Sequence, residues 1–240
     1  MGKVSDSLKG RVILVTGATG GLGSALCEAV SARGAELILA GRKVLKLERL
    51  ADRLEAAGGP EPVLYPVDLA GAGPDDYATM AAAIGSECGR LDAVVHLAAE
   101  FGGLTPLANL DPGAWQTAFQ VNVHAVFLIN QAVHPLLKAS AGRVIMTLDD
   151  PDRVGGAYWG PYGSGKFALC GLLQITAAEW EADEVGVYGV IPEPARTRLR
   201  GNAYMQETVS PAEPADAIRP FLELLDFEKE VETGKLFGPA

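Results

Sequence analysis

The sequence predicts an α/β fold: one doubly wound domain over residues 1–240, with a mostly parallel sheet of six to seven strands and helices on both faces. Three observations predict it. Short runs rich in Val, Ile and Leu alternate with longer stretches of helical character, the pattern of right-handed βαβ units. The first run, Val12-Ile13-Leu14-Val15, is continuously apolar, as a strand covered on both faces should be. A glycine-rich turn from Thr16 to Gly23 leads from that run directly into a helix. No linker, repeat or low-complexity segment divides the chain.

The elements follow in order. Strand 12–15 is followed by helix 24–32, and strand 36–40 by helix 45–57. In the latter, Leu47, Leu50 and Leu54 mark one apolar face among charges. Gly58-Gly59-Pro60 ends it. The third strand, 63–67, contains Pro66, which places it at an edge or a strand end. Helix 75–88 precedes strand 91–97. A long helical region, 112–137, is broken near Asn122. Strand 142–148, helix 163–183 and strand 185–191 complete the regular alternation. A late helix at 214–225 and a short strand at 235–237 close the chain.

Hydrophobic residues make up 48% and charged residues 21%, an ordinary globular composition. Lys plus Arg number 20 against 30 Asp plus Glu, a net charge of −10. That balance argues against a general binder of nucleic acid or of acidic membranes. The three cysteines, Cys27, Cys88 and Cys170, are far apart and form neither a disulfide framework nor zinc-ligand spacing. They read as apolar thiols in a reducing compartment. The first residues lack a signal-peptide apolar core, and no run reaches the roughly 18 apolar residues of a spanning helix. A cytoplasmic location with no membrane partner is expected.

Glycines after a first strand let the backbone approach a pyrophosphate, whose charge meets N–H groups at a helix start. Gly17, Thr19, Gly20, Gly21, Leu22 and Gly23 are therefore candidate dinucleotide contacts. The end of the second strand selects between cofactors. A carboxylate there would bind the ribose 2′-OH of NAD(H), but the segment is Ala40-Gly41-Arg42-Lys43. Arg42 offers a fork for a 2′-phosphate and Lys43 adds charge, so NADP(H) is favoured over NAD(H). The alternative is a solvated basic pair, though positive charge at a helix start opposes the macrodipole.

Tyr162 and Lys166 stand at i, i+4 and share one helix face. An ammonium beside a phenol favours phenolate, which can exchange a proton with a carbinol or carbonyl oxygen. With the glycine turn, this pattern resembles the classical short-chain dehydrogenase/reductases from about Leu8 to Phe237. Thr16, Gly17, Gly21 and Gly23 match the family's TGxxxGxG. The segment Asn122 to Lys138 and Trp159-Gly160-Pro161-Tyr162 further resemble a branch of bacterial oxidoreductases typified by YciK-type proteins. The resemblance implies a Rossmann fold, a nicotinamide cofactor and a small-molecule substrate. It implies adenine contact at Asp68 and Leu69, a water held at Asn122, and a catalytic pair, Tyr162 and Lys166, that also touches the cofactor. It implies nicotinamide contact at Pro192 and Thr197, and a homo-dimer or homo-tetramer built on helices 121–137 and 167–178.

The departures from the family are specific. The position 13 residues before Tyr162, where the family has Ser, is Asp149. To play the family's part, its carboxyl must be neutral or turned away when substrate binds. Thr147 after a shift, or Ser164, are other hydroxyl candidates, and Asp149-Asp150-Pro151-Asp152 also reads as a solvated acidic loop. The family's NNAG is His96-Leu97-Ala98-Ala99, with Ala98 and Ala99 expected beside the cofactor. The family's Pro-Gly is Pro192-Glu193. His96, His124 and His134 are scattered and read as packed or surface side chains, and no metal site is expected. Leu199, Tyr204 and Met205 would give a substrate lid an apolar inner face, or belong to an ordinary surface loop. The leading expectation is an NADP(H)-dependent oxidoreductase of a carbonyl or secondary alcohol. The alternative is a catalytically impaired dinucleotide-binding protein acting as a sensor or interaction subunit.

Overall fold

A computed structural model describes residues 7–204 and 210–238. The apolar runs form β1 (Val12–Thr16), β2 (Glu36–Gly41), β3 (Val63–Pro66), β4 (Ala93–His96), β5 (Arg143–Thr147), β6 (Gly186–Val190) and β7 (Leu236–Phe237). They make one sheet in the order β3-β2-β1-β4-β5-β6-β7, with every pairing parallel. β3 lies at an edge, where Pro66 costs the sheet no hydrogen bond.

The helices are α1 (Gly21–Ser31), α2 (Val44–Ala56), α3 (Pro74–Glu87), α4 (Pro112–Phe119), α5 (Ala125–Ser140), α6 (Pro151–Val154), α7 (Gly160–Trp180), α8 (Arg198–Ala203), α9 (Pro214–Ala217) and α10 (Arg219–Leu224). A π turn, Gln120–His124, joins α4 to α5 and contains Asn122, where the sequence predicts a break. Two expectations need correction. The late helix is two short helices, because Pro220 has no N–H for the Asp216 carbonyl and its ring crowds that carbonyl. The fourth strand is shorter than 91–97, because Asp92 turns its carboxylate onto Arg11, Arg90 and the Val12 N–H below the sheet.

Strand side chains alternate between two cores, as a period of two requires. Val12, Leu14, Val94, Val144 and Met146 pack with Tyr77 and Met80 of α3, Ile129 and Val133 of α5, and Leu169 and Leu173 of α7. Ile13, Val15, Val95, Ile145 and Val190 pack with Leu26 and Val30 of α1, Leu47 and Leu50 of α2, and Phe221 of α10. The chain leaves β1 for β2 on one side and returns to β4 on the other. That reversal opens a crevice at the carboxyl ends of the strands, where doubly wound sheets bind ligands. Among the described residues, no helix is long and apolar enough to cross a membrane.

Candidate active site

A cleft of about 370 Å³ opens at this crevice. Its floor is the turn between β1 and α1. Gly17 adopts φ +67°, and a Cβ there would lie 2.6 Å from the Ala98 nitrogen. A Cβ on Gly23 would lie 2.2 Å from the Gly17 carbonyl oxygen. Both positions therefore demand glycine. The first turn of α1 has no side-chain cap and no acidic residue, so its N–H groups and positive dipole end are left for an anion. Thr197, which caps α8, closes over the turn with its methyl carbon 2.8 Å from where a Gly21 Cβ would stand. These features fit the pyrophosphate of a dinucleotide.

The cleft collects nearly every residue singled out from the sequence. Gly17, Thr19, Gly20, Gly21, Leu22 and Gly23 line its floor, and Arg42 and Lys43 its outer end. Asp68 and Leu69 follow β3, Ala98 and Ala99 follow β4, and Pro192, Glu193 and Thr197 follow β6. Asp149, Tyr162 and Lys166 line the opposite end. Sequence reasoning missed Lys46, which joins Arg42 and Lys43 from the first turn of α2. Its i+3 spacing from Lys43 was an available signal. Arg153, Arg198 and Arg200 also line the cleft. Arg153 depends on the short helix α6, which begins where the Asp150 side chain caps the Asp152 N–H. No periodic pattern announces a helix of that length.

Tyr162 and Lys166 are each 4% exposed on α7. The Tyr162 hydroxyl donates to Asp149 Oδ2 at 2.8 Å. The Asp150 N–H donates to Asp149 Oδ1 at 2.8 Å. Both carboxylate oxygens thus act as acceptors. Arg153 Nη2 lies 3.2 Å from Asp150 Oδ2 and 3.9 Å from Asp149 Oδ1. Burial, then the Asp149 charge and its hydrogen bond, push the Tyr162 phenol well above the usual range. This corrects the expectation that Lys166 depresses it. The ammonium is 5.3 Å from the Tyr162 ring centre and donates to the Thr147 carbonyl at 2.6 Å, so the nearer carboxylate dominates. Burial itself lowers Lys166 from the ordinary lysine value to about 8.

Asn122 is 1% exposed and does not line the cleft. Its side chain accepts from the Glu100 N–H at 2.9 Å and donates to the Glu100 carbonyl at 2.7 Å. It thereby fixes the loop that carries Ala98 and Ala99. Thr147 lines the cleft, and its buried hydroxyl has no hydrogen-bond partner among the described residues. Ser164 is exposed and outside the cleft. His96 Nε2 donates to the Asn130 amide oxygen at 2.8 Å, and burial lowers the imidazole to about 4, so it is neutral at pH 7. None of the three histidines lines the cleft.

Around Tyr162 is a small apolar cluster of Phe101, Val154, Trp159 and Ala203, with Leu199 and Tyr204 packed on it. Leu199 and Tyr204 thus present the apolar inner face expected of them, while Met205 lies outside the described residues. Trp159 is 5.9 Å from Tyr162 and 5.5 Å from Tyr204, centre to centre. One end of the cleft is therefore a glycine cradle with a basic rim. The other is an aromatic wall around a hydroxyl and a carboxylate.

Comparison with known proteins agrees with this geometry. A family model described as short chain dehydrogenase matches residues 11–208. The oxidoreductase YciK of Escherichia coli (strain K12), itself uncharacterised, is 34% identical over 234 residues, covering 97% of this chain and 92% of the relative. A short chain dehydrogenase structure from Shigella flexneri 2a str. 301, complexed with NADP, has 33% identity, a TM-score of 0.92 and 98% coverage of both chains. One from Escherichia coli CFT073, complexed with NADPH, has 34% identity and a TM-score of 0.92, covering 97% of this chain and 98% of that one.

Proposed function

This chain belongs to the short-chain dehydrogenase family of oxidoreductases, and on that premise we propose that it moves hydride between NADP(H) and a carbonyl or secondary alcohol of a small-molecule substrate. The observation that carries this reading is a single cleft joining the glycine cradle to the buried Tyr162 hydroxyl. The NADP and NADPH complexes of the Shigella flexneri and Escherichia coli relatives support the choice of cofactor.

When bound, the nicotinamide supplies or accepts the hydride. The chain's own residues do the rest. The N–H groups from Gly20 to Gly23 hold the pyrophosphate at the positive end of α1. Arg42, Lys43 and Lys46 hold the 2′-phosphate; none of them has an ion pair with another described residue. Asp68 and Leu69 would hold the adenine, Ala98 and Ala99 would lie beside the cofactor, and Pro192 and Thr197 would hold the nicotinamide; all six line the cleft. Lys166 holds the ribose and anchors α7 to the end of β5 through the Thr147 carbonyl. Asn122 holds the β4 loop in place through Glu100. Tyr162 is the acid and base. Its raised pKa keeps the proton on Oη at neutral pH, which suits donation to a developing alkoxide and so favours reduction. Asp149 receives that hydroxyl in the resting site, and a substrate oxygen takes its place as acceptor. The exposed Phe127 on α5 and Phe167 and Ile175 on α7 suit pairing with a second copy, as a homo-dimer or homo-tetramer.

Calorimetric titration with NADPH and NADH tests the cofactor. NADPH should bind more tightly, and Arg42→Ala should weaken it by ~10-fold or more while barely changing NADH. Equal affinities in the unaltered protein refute the assignment. NADPH oxidation with a broad carbonyl panel tests the reaction. Firm NADPH binding with no turnover of any carbonyl favours the sensor reading instead.

A further inference from the structure

We propose that a further substrate class of this site is a protonated carbon–nitrogen double bond, an iminium, bound by the Asp149 carboxylate. The inference rests on the proposed nicotinamide cleft and on Tyr162 as its polar centre, and it concerns what Asp149 does there.

A neutral carbonyl oxygen needs hydrogen-bond donors. At the end of β5 the structure offers it an acceptor. Asp149 Oδ2 takes the Tyr162 proton at 2.8 Å, and Oδ1 takes the Asp150 N–H at 2.8 Å. A carbonyl can use the Tyr162 hydroxyl only by breaking its bond to Asp149, and its developing alkoxide then lies beside a carboxylate. An iminium reverses both terms. Its N–H donates to Oδ2, and its positive charge meets the carboxylate. Its reduction removes charge from the nitrogen and needs no phenolate. That suits a tyrosine whose burial and neighbouring carboxylate keep it protonated.

The walls point the same way. Trp159 lines this end of the cleft, its ring centre 5.9 Å from that of Tyr162 and 5.5 Å from that of Tyr204. Aromatic faces attract cations, more so where water is excluded. The two tyrosine rings already carry cations, Lys166 at 5.3 Å from the Tyr162 centre and Arg153 and Arg200 at 5.8 and 4.4 Å from the Tyr204 centre, so the Trp159 ring is the one without a cation among the described residues. Arg153 pairs with Asp150 at 3.2 Å and, more loosely, with Asp149 Oδ1 at 3.9 Å. Lys166 is turned to the Thr147 carbonyl. Arg198, Arg200, Glu100 and Glu193 also line the cleft. Among the described residues, the hydrogen-bond partner of Oδ2 is the Tyr162 hydroxyl.

The step balances with a reduced nicotinamide dinucleotide as the named reductant. The imine takes a proton from water as it becomes an iminium. A hydride adds to its carbon, the C=N π pair becomes the nitrogen lone pair, and the dinucleotide leaves oxidised. The sum is imine plus NADPH plus a proton giving amine plus NADP⁺.

The test uses the full chain and isosteric probes. Tetrahydroisoquinoline, protonated at neutral pH, and the neutral tetralol are titrated calorimetrically into protein saturated with NADP⁺. The amine should bind ~10-fold or more tightly than the alcohol, and the isosteric Asp149→Asn should erase that preference. In NADPH oxidation, dihydroisoquinoline should be reduced faster than tetralone, and Asp149→Asn should reverse the order. Amine binding no tighter than alcohol binding in the unaltered protein, including no binding of either, overturns the proposal without recourse to any variant. A preference that survives in Asp149→Asn also overturns it. Reduction of tetralone but not of the imine overturns this inference and leaves the carbonyl reading intact. Failure to bind NADPH overturns both.

Discussion

Replacing Asp92 by Asn should destabilise the protein without altering the cleft, because Asp92 precedes β4 at the opposite end of the sheet. Its side chain has no solvent exposure. Oδ1 accepts from Arg11 at 2.7 Å and from Arg90 Nη2 at 2.6 Å, and Oδ2 from Arg90 Nε at 2.8 Å and from the Val12 N–H at 2.9 Å. An asparagine keeps one oxygen and puts an amide NH₂ against two donors. The flip that spares the buried Val12 N–H turns that NH₂ toward the two arginines. Two charge-assisted bonds at ~1.5 kcal/mol each give ~3 kcal/mol. The Arg11 and Arg90 side chains are 33% and 46% exposed and can rehydrate, so screening reduces the loss to ~2 kcal/mol. For a chain of this size that lowers Tm by ~4–8 °C.

The pH dependence has a definite sign. Burial pushes the Asp92 carboxyl up, but hydrogen bonds from Arg90, Val12 and Arg11 outweigh it and hold the group below the usual carboxylate range. A carboxylate with a depressed folded pKa contributes its stability above the unfolded value, ~3.9, and loses it as pH falls through the folded value. Thermal denaturation followed by circular dichroism should therefore show a constant gap between the two proteins from about pH 5 to 8, narrowing below about pH 4. A Tm change under ~2 °C at neutral pH, or a gap that widens in acid, refutes the reasoning.

Two further predictions concern α5 and α7. Burial lowers Lys166 from 10.5 to about 8, so between those values the unfolded chain binds more protons than the folded one and stability rises with pH. Lys166→Met should abolish that rise and raise Tm at pH 7 by ~2–6 °C while eliminating turnover; a lower Tm would show that the bond to Thr147 outweighs the burial cost. Phe167 is 50% exposed and Phe127 47%, and light scattering should find a dimer or tetramer that Phe167→Glu dissociates. A stable monomer of the unaltered protein at micromolar concentration refutes the pairing.

Most of the fold is written in local pattern. Strands buried on both faces must be continuously apolar, and Val12 to Val15 and Val144 to Met146 are. The turn after β1 must be glycine at Gly17 and Gly23, because any side chain there meets backbone. Tyr162 and Lys166 share a helix face because four residues are about one turn. The misread late helix was also local: Pro220 carried the break, and the apolar spacing on either side hid it.

What the sequence by itself determined, then, is the parallel sheet, the dinucleotide cradle, the basic rim of Arg42 and Lys43, and the positions of Tyr162, Lys166 and Asp149. Backbone geometry and side-chain period act over a few residues, and those features need nothing longer. Only the tertiary structure decided what the charged groups do. Tyr162 and Asp149 lie 13 positions apart and meet because the end of β5 faces the start of α7. Lys166 reaches the Thr147 carbonyl, Asn122 the backbone of Glu100, and Arg153 the carboxylates beside it, for the same reason of packing. The proton affinity of Tyr162 follows from burial and from the nearest charge. Both are properties of the packed whole and are carried by no motif.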